Sequence, residues 1–119
     1  MTKRDLDRFR EIIIHAVETR SEHDDGFTDF SKTMKSGDEY QLYLMAGAGL
    51  IEGPSTKEGF FFVTNEGHDF YDAVKSEGIW NETKKVVAET GGNATLEIIK
   101  ALATGFIRKQ IERLTDFEL

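Results

Sequence analysis

The chain has 119 residues, of which 39% are hydrophobic and 11% aromatic, enough for one small core. Its net charge of −7 works against non-specific nucleic-acid binding, which draws its affinity from Lys and Arg at phosphates. There is no cysteine, which excludes disulfides, thiolate zinc sites and cysteine nucleophiles, and no apolar run approaches the roughly 20 residues that span a bilayer.

Read in chain order, Asp5 to Thr19 predicts a first helix, with Leu6, Phe9, Ile12, Ile13, Ala16 and Val17 on one face. Ser21-Glu22-His23-Asp24-Asp25-Gly26 breaks it, and Phe27-Thr28-Asp29-Phe30 reads as a brief strand with both phenylalanines inward. Asp38 or Ser36 is placed to cap a helix from Glu39 to Ala48, whose core side is Leu42, Leu44, Met45 and Ala48. Gly49 closes that helix in the left-handed turn a C-terminus favours. Ile51-Glu52, the loop Gly53 to Gly59 and the β-prone Phe60 to Val63 then form a hairpin, with the single proline in its loop. Thr64 is the expected cap of a helix from Asn65 to Lys75. Gly78 interrupts, and Ile79 to Thr90 follows with Trp80 as a core anchor. Asn93 or Thr95 caps a last helix to Leu114, striped with Leu96, Ile99, Leu102, Ala103, Phe106, Ile107, Ile111 and Leu114.

The expected fold is α+β and mostly helical: a winged-helix-like module over residues 1–76 and a helical extension over 77–119 packed on it as one compact domain. In that module the helix from Glu39 to Ala48 is the recognition helix, and the Gly53–Gly59 loop is the tip of the wing.

The run Leu42-Tyr43-Leu44-Met45-Ala46-Gly47-Ala48-Gly49-Leu50-Ile51, then Val63-Thr64-Asn65-Glu66-Gly67-His68-Asp69-Phe70, then Ile79-Trp80-Asn81, resembles a bacterial and prophage family known as domain of unknown function 2513. The opening Lys3-Arg4-Asp5-Leu6-Asp7 matches its start. The resemblance implies a winged-helix-like fold and an association with phage or mobile elements, and brings no activity, ligand or catalytic residue. Two departures stand out. The family tends to have histidine where this chain has Gln41, and residues 21–37 leave little room for the usual second helix.

Candidate chemistry is sparse. His15, His23 and His68 show no metal-ligand spacing, and His23-Asp24-Asp25 reads as a solvated acidic turn. Glu66, His68, Asp69 and Asp72 crowd a helix start, where the helix dipole favours carboxylates for structural reasons. The glycines at 47, 49 and 53 miss the dinucleotide fingerprint and follow a helix where a strand is needed. No catalytic residue, cofactor, metal or small-molecule substrate is therefore expected, and the protein is read as non-enzymatic and cytoplasmic.

Two binding functions fit. Duplex DNA, in transcription regulation, would be held by Lys32, Lys35 and Lys57 with Tyr40 and Tyr43 on the outward side of the helix. The alternative is a protein partner at the same acidic, tyrosine-bearing face, or a homodimer through the apolar stripe of the last helix. A continuous basic stripe joining these lysines to Arg4 and Arg8 would separate them in favour of DNA.

Overall fold

The structure is a computed structural model that describes residues 3–19, 25–91 and 95–115. The chain divides into two compact units, Met1–Tyr71 and Asp72–Leu119.

The first unit opens with α1 (Leu6–Glu18), capped by the Asp5 carboxylate, which accepts from the Arg8 N–H. Phe9, Ile12, Ile13 and Ala16, spaced three and four apart, bury its inner face, while Leu6 and Val17 are half-buried. Then come β1 (Phe27–Asp29), a 3-10 turn (Ser31–Thr33), α2 (Asp38–Gly47), β2 (Ile51–Ser55), a second 3-10 turn (Thr56–Glu58) and β3 (Phe60–Val63). The strands form one antiparallel sheet in the order β1-β3-β2, with Thr28 opposite Phe61 and Ile51 opposite Val63. This α+β order of helix, strand, helix and hairpin is consistent with a winged-helix-like arrangement. Among the described residues, 25–37 hold one strand and one 3-10 turn and no α-helix.

Strand alternation corrects the reading of Phe27. Residues two apart share a face, so Thr28 and Phe30 point to the core together and Phe27 cannot. Phe27 instead stacks on Phe60 (6.3 Å) and meets the edge of Phe62 (5.2 Å) on the other face. The hairpin is also longer than expected. Gly53, Pro54 and Ser55 lie within β2, where three steps from Glu52 to Ser55 oppose two from Phe62 to Phe60. The extra residue is a β-bulge.

Two features fix α2. At its end, the Leu50 N–H bonds the Met45 carbonyl (3.0 Å) and the Gly49 N–H bonds Ala46 (3.0 Å), with Gly49 at φ 79°, a Schellman motif. Ala48, expected in the core, sits exposed in this cap. At the start, Asp38 is not the cap: Gly37, at φ 90°, holds that position without a side-chain bond. Asp38 is the first helical residue and is buried, its carboxylate accepting from Arg8 Nε (2.8 Å), Arg8 Nη2 (2.7 Å) and the Lys35 N–H (2.8 Å). Three residues on, the buried Gln41 amide donates to the Lys3 carbonyl (2.7 Å) and accepts from the Asp5 N–H (2.8 Å). The start of α2 is thus bound to α1 and to the segment before it.

α3 (Asn65–Val74) starts as expected from Thr64, whose hydroxyl accepts from the Gly67 N–H (3.0 Å) and donates to the Gly49 carbonyl. A Cβ on Gly67 would lie 2.1 Å from the Leu50 carbonyl oxygen, so this turn of helix can seat against the chain only without a side chain. Phe70, one turn later, is fully buried. The Thr-x-x-Gly-x-x-Phe run is therefore a packing signature.

The second unit holds α4 (Glu77–Glu89) and α5 (Leu96–Thr115), which pack on each other. Ser76 caps α4 by accepting from the Ile79 N–H (3.3 Å), which places Gly78 inside the first turn and not at a break. Ile79, Trp80 and Thr83 are buried, and the Thr83 hydroxyl is satisfied by the Ile79 carbonyl (2.7 Å). Thr95 accepts from the Ile98 N–H (3.3 Å) at the start of α5; Asn93 lies outside the described residues. Of the α5 stripe, Ile99 and Ala103 are buried, Leu96, Leu102, Phe106 and Ile107 half-buried, and Ile111 and Leu114 exposed.

Gly67→Ala is expected to lower unfolding stability by about 3 kcal/mol or more, because backbone must move to admit one methyl. Gly47→Ala, with open space around its Cβ, should be neutral or gain a few tenths of a kcal/mol; urea titrations followed by circular dichroism compare the two. Removing Asp38's charge by Asp38→Asn should cost about 3 kcal/mol at neutral pH, since Arg8 is left in a mostly buried site. Burial opposes the Asp38 charge, but the Arg8 guanidinium and the Lys35 N–H outweigh it and hold the carboxyl below its ordinary range. A depressed carboxyl contributes its full stability above the unfolded-state pKa near ~4 and loses it as pH falls through the folded value. The gap between the wild-type and Asp38→Asn stability curves should accordingly be at its full size above about pH 4 and close as the pH falls below that.

Candidate functional site

The residues singled out for binding do not all meet. Tyr40 and Tyr43, one turn apart on α2, project outward with relative exposures of 41% and 56%, and their rings stack at 6.2 Å and 24°. The turn Thr56–Glu58 at the hairpin tip packs beside α2 and brings Lys57 to them. Gly37, Glu39, Tyr40, Tyr43 and Lys57 line one open groove of about 470 Å³. Lys32 and Lys35 are exposed but are not among these lining residues.

Local geometry explains how the groove is held. Gly59 ends the tip at φ 93°, its carbonyl accepting from the Phe30 N–H (2.7 Å); a Cβ there would lie 2.8 Å from the Ser31 N. That approach pins the hairpin tip to the end of β1. On the other wall, the Asp38 and Gln41 anchors turn the inner face of α2 inward and leave Glu39, Tyr40 and Tyr43 outside, as helical spacing requires.

The cations nearest this face are largely spoken for. Lys57 Nζ lies 3.5 Å from Glu39 Oε1 across the groove, and both side chains are exposed. Arg8, with only 15% of its side chain exposed, forks onto Asp38, contacts Glu11 (3.2 Å) and lies over the Phe30 ring (5.6 Å). Hydrogen bonding to Asp38 raises its pKa further. Lys32 acts on Asp29, whose carboxyl is held below its ordinary range first by the Ser31 hydroxyl, then by the Ser31 N–H, with Lys32 adding to both. Arg8 therefore does not extend the lysines into a stripe.

The remaining candidates are plainly placed. His68 is exposed on α3, and His15 meets the Phe30 ring edge-on at 5.3 Å. His23 lies outside the described residues. Among the described residues, no group of three or more His, Cys, Asp or Glu is arranged to hold a metal ion. No described helix is long and apolar enough to cross a membrane.

Sequence reading missed the Arg8–Asp38 pair and the Gln41 clamp, which join positions 30 to 38 residues apart. The available signal was that Asp38 and Gln41 lie in helical register with the apolar Leu42 and Met45. In that register, a polar side chain must find a partner.

The first unit is thus an α+β module with an open, tyrosine-lined groove between a helix and a hairpin tip. Residues 3–93 match the model of the family described as hypothetical protein DUF2513, and the chain belongs to that family. It is similar to an uncharacterized protein of Haemophilus influenzae (strain ATCC 51907 / DSM 11121 / KW20 / Rd). The two are 29% identical over 120 residues, covering 92% of this chain and 98% of the relative. No solved structure matches the chain.

Proposed function

We propose that this protein is a non-enzymatic binding module that engages a protein partner through the groove of Gly37, Glu39, Tyr40, Tyr43 and Lys57. The observation that carries this reading is the exposed Tyr40–Tyr43 stack beside a lysine already ion-paired to Glu39. Tyrosine offers large, rigid contact area at low entropic cost and is enriched where interfaces concentrate their energy. Duplex DNA is the reading that the winged-helix-like order favours by analogy, yet fold alone does not carry a ligand. The first unit holds 14 Asp and Glu against eight Lys and Arg, and its outward helix shows no cation of its own. Phosphates would meet Glu39 at the helix start and Glu52 and Glu58 on the hairpin.

A second reading, self-association through α5, is supported by Ile111 and Leu114, the latter 72% exposed. The two can operate together because they use different elements.

In a mobility shift on random duplex DNA at low ionic strength, where phosphate contacts are strongest, no retarded band is expected. A salt-sensitive shift abolished by Lys57→Ala would replace the protein-partner reading with DNA. Crosslinking in a host lysate should give adducts with the wild type that a Tyr40→Ala/Tyr43→Ala variant loses; adducts indifferent to both tyrosines would exclude the groove. For α5, sedimentation equilibrium should show a dimer that Leu114→Glu dissociates, and a monomeric mass at all concentrations would end that reading.

A further inference from the structure

The groove carries a charge preference as well as an aromatic surface. A tyrosine ring presents a negative face that attracts a cation within about 6 Å of its centroid. Tyr40 and Tyr43 stack on each other in the groove, and Glu39 on the same helix lines it with them. Glu39 lies in the first turn of α2, where the helix dipole stabilises its negative charge.

The molecule also shows where a cation settles. Lys57 Nζ reaches Glu39 at 3.5 Å from the opposite wall. Both ends of this pair are solvent-exposed, so it contributes little and opens readily. Beyond the groove, the first unit has a net charge of −6 from its 14 acidic and eight basic residues, whereas the second, with eight acidic and seven basic, is at −1. The field around the tyrosines therefore draws positive partners and repels negative ones.

We infer that the partner recognised here is a cationic protein segment whose arginine displaces Lys57 from Glu39 and stacks its guanidinium on the Tyr40–Tyr43 rings. Arginine suits the site better than lysine because its planar fork can pair with the carboxylate while lying flat on a ring. Lys57 is then an internal competitor, holding the cation position until a partner takes it. This inference rests on the protein-binding reading of the groove and adds the partner's chemistry to it.

The test is fluorescence anisotropy with a labelled peptide alternating arginine and glycine, beside a counterpart with glutamate for each arginine. The arginine peptide should bind the wild type. Glu39→Gln and Tyr43→Leu should each weaken it by about two- to five-fold, as expected for one exposed ion pair or cation–π contact. Tyr43→Phe, which keeps the ring, should hold wild-type affinity. Lys57→Ala should tighten binding by a similar factor, the sign that marks a competitor. All three positions are on the surface, and unchanged thermal midpoints confirm that folding is not the cause.

Binding that ignores Tyr43→Leu would show attraction by net charge alone and overturn the inference, and so would weakening by Lys57→Ala. Should the glutamate peptide bind and respond to Tyr43→Leu, the partner's charge is wrong but the groove remains a protein site. Should neither peptide nor the lysate adducts respond to the tyrosines, both readings fall together.

Discussion

The forked contact between Arg8 and Asp38 is the interaction on which the first unit's organisation turns. It joins the first helix to the first residue of the second, across 30 residues of sequence. A buried carboxylate is tolerable only with a partner of opposite charge and full hydrogen bonding, and Asp38 has both. With Asp38 and Gln41 facing inward, the helix has one rotation open to it, and that rotation exposes Glu39, Tyr40 and Tyr43. The same contact withdraws one cation and one anion from the surface. The groove's electrostatics are then set by what remains: a carboxylate, two aromatic rings and a lysine reaching across.

Most of the architecture was legible because it depends on local signals. The first helix follows from apolar spacing, and α3 follows from Thr64. The second helix ends where Gly49 permits a left-handed turn. What failed to read correctly depends on neighbours. Phe27 looks like a core residue from its chemistry, but strand parity puts Thr28 and Phe30 on the inner face. Gly53 and Pro54 look like a loop by composition, but a bulge accommodates both within β2. Gly78 looks like a break until Ser76 is seen to cap the helix around it.

The candidate site divides the same way. Tyr40 and Tyr43 were placed on the outward face by helical spacing, and Lys57 at the hairpin tip by its turn residues. Their meeting in one groove could not be read, because it needs the tip to fold back on α2, pinned where Gly59 meets Phe30 and Ser31. Asp38 was not read as an internal residue, although it lies in helical register with Leu42 and Met45. In sequence it was a candidate cap for the second helix, whereas in the fold it is neutralised by Arg8. Gln41 shows a related economy. Its amide supplies one donor and one acceptor to the N-terminal segment.

The bulge in β2 has a consequence for how this surface can be used. β1 and β2 are the outer strands of the sheet, each with one side of its backbone turned away from β3. Such margins are templates for recruiting foreign strands, the route by which small sheets coalesce into aggregates. Here one margin is three residues long and the other is interrupted by Pro54, which has no N–H to give, and by the distortion beside it. A visiting chain finds no continuous ladder to extend.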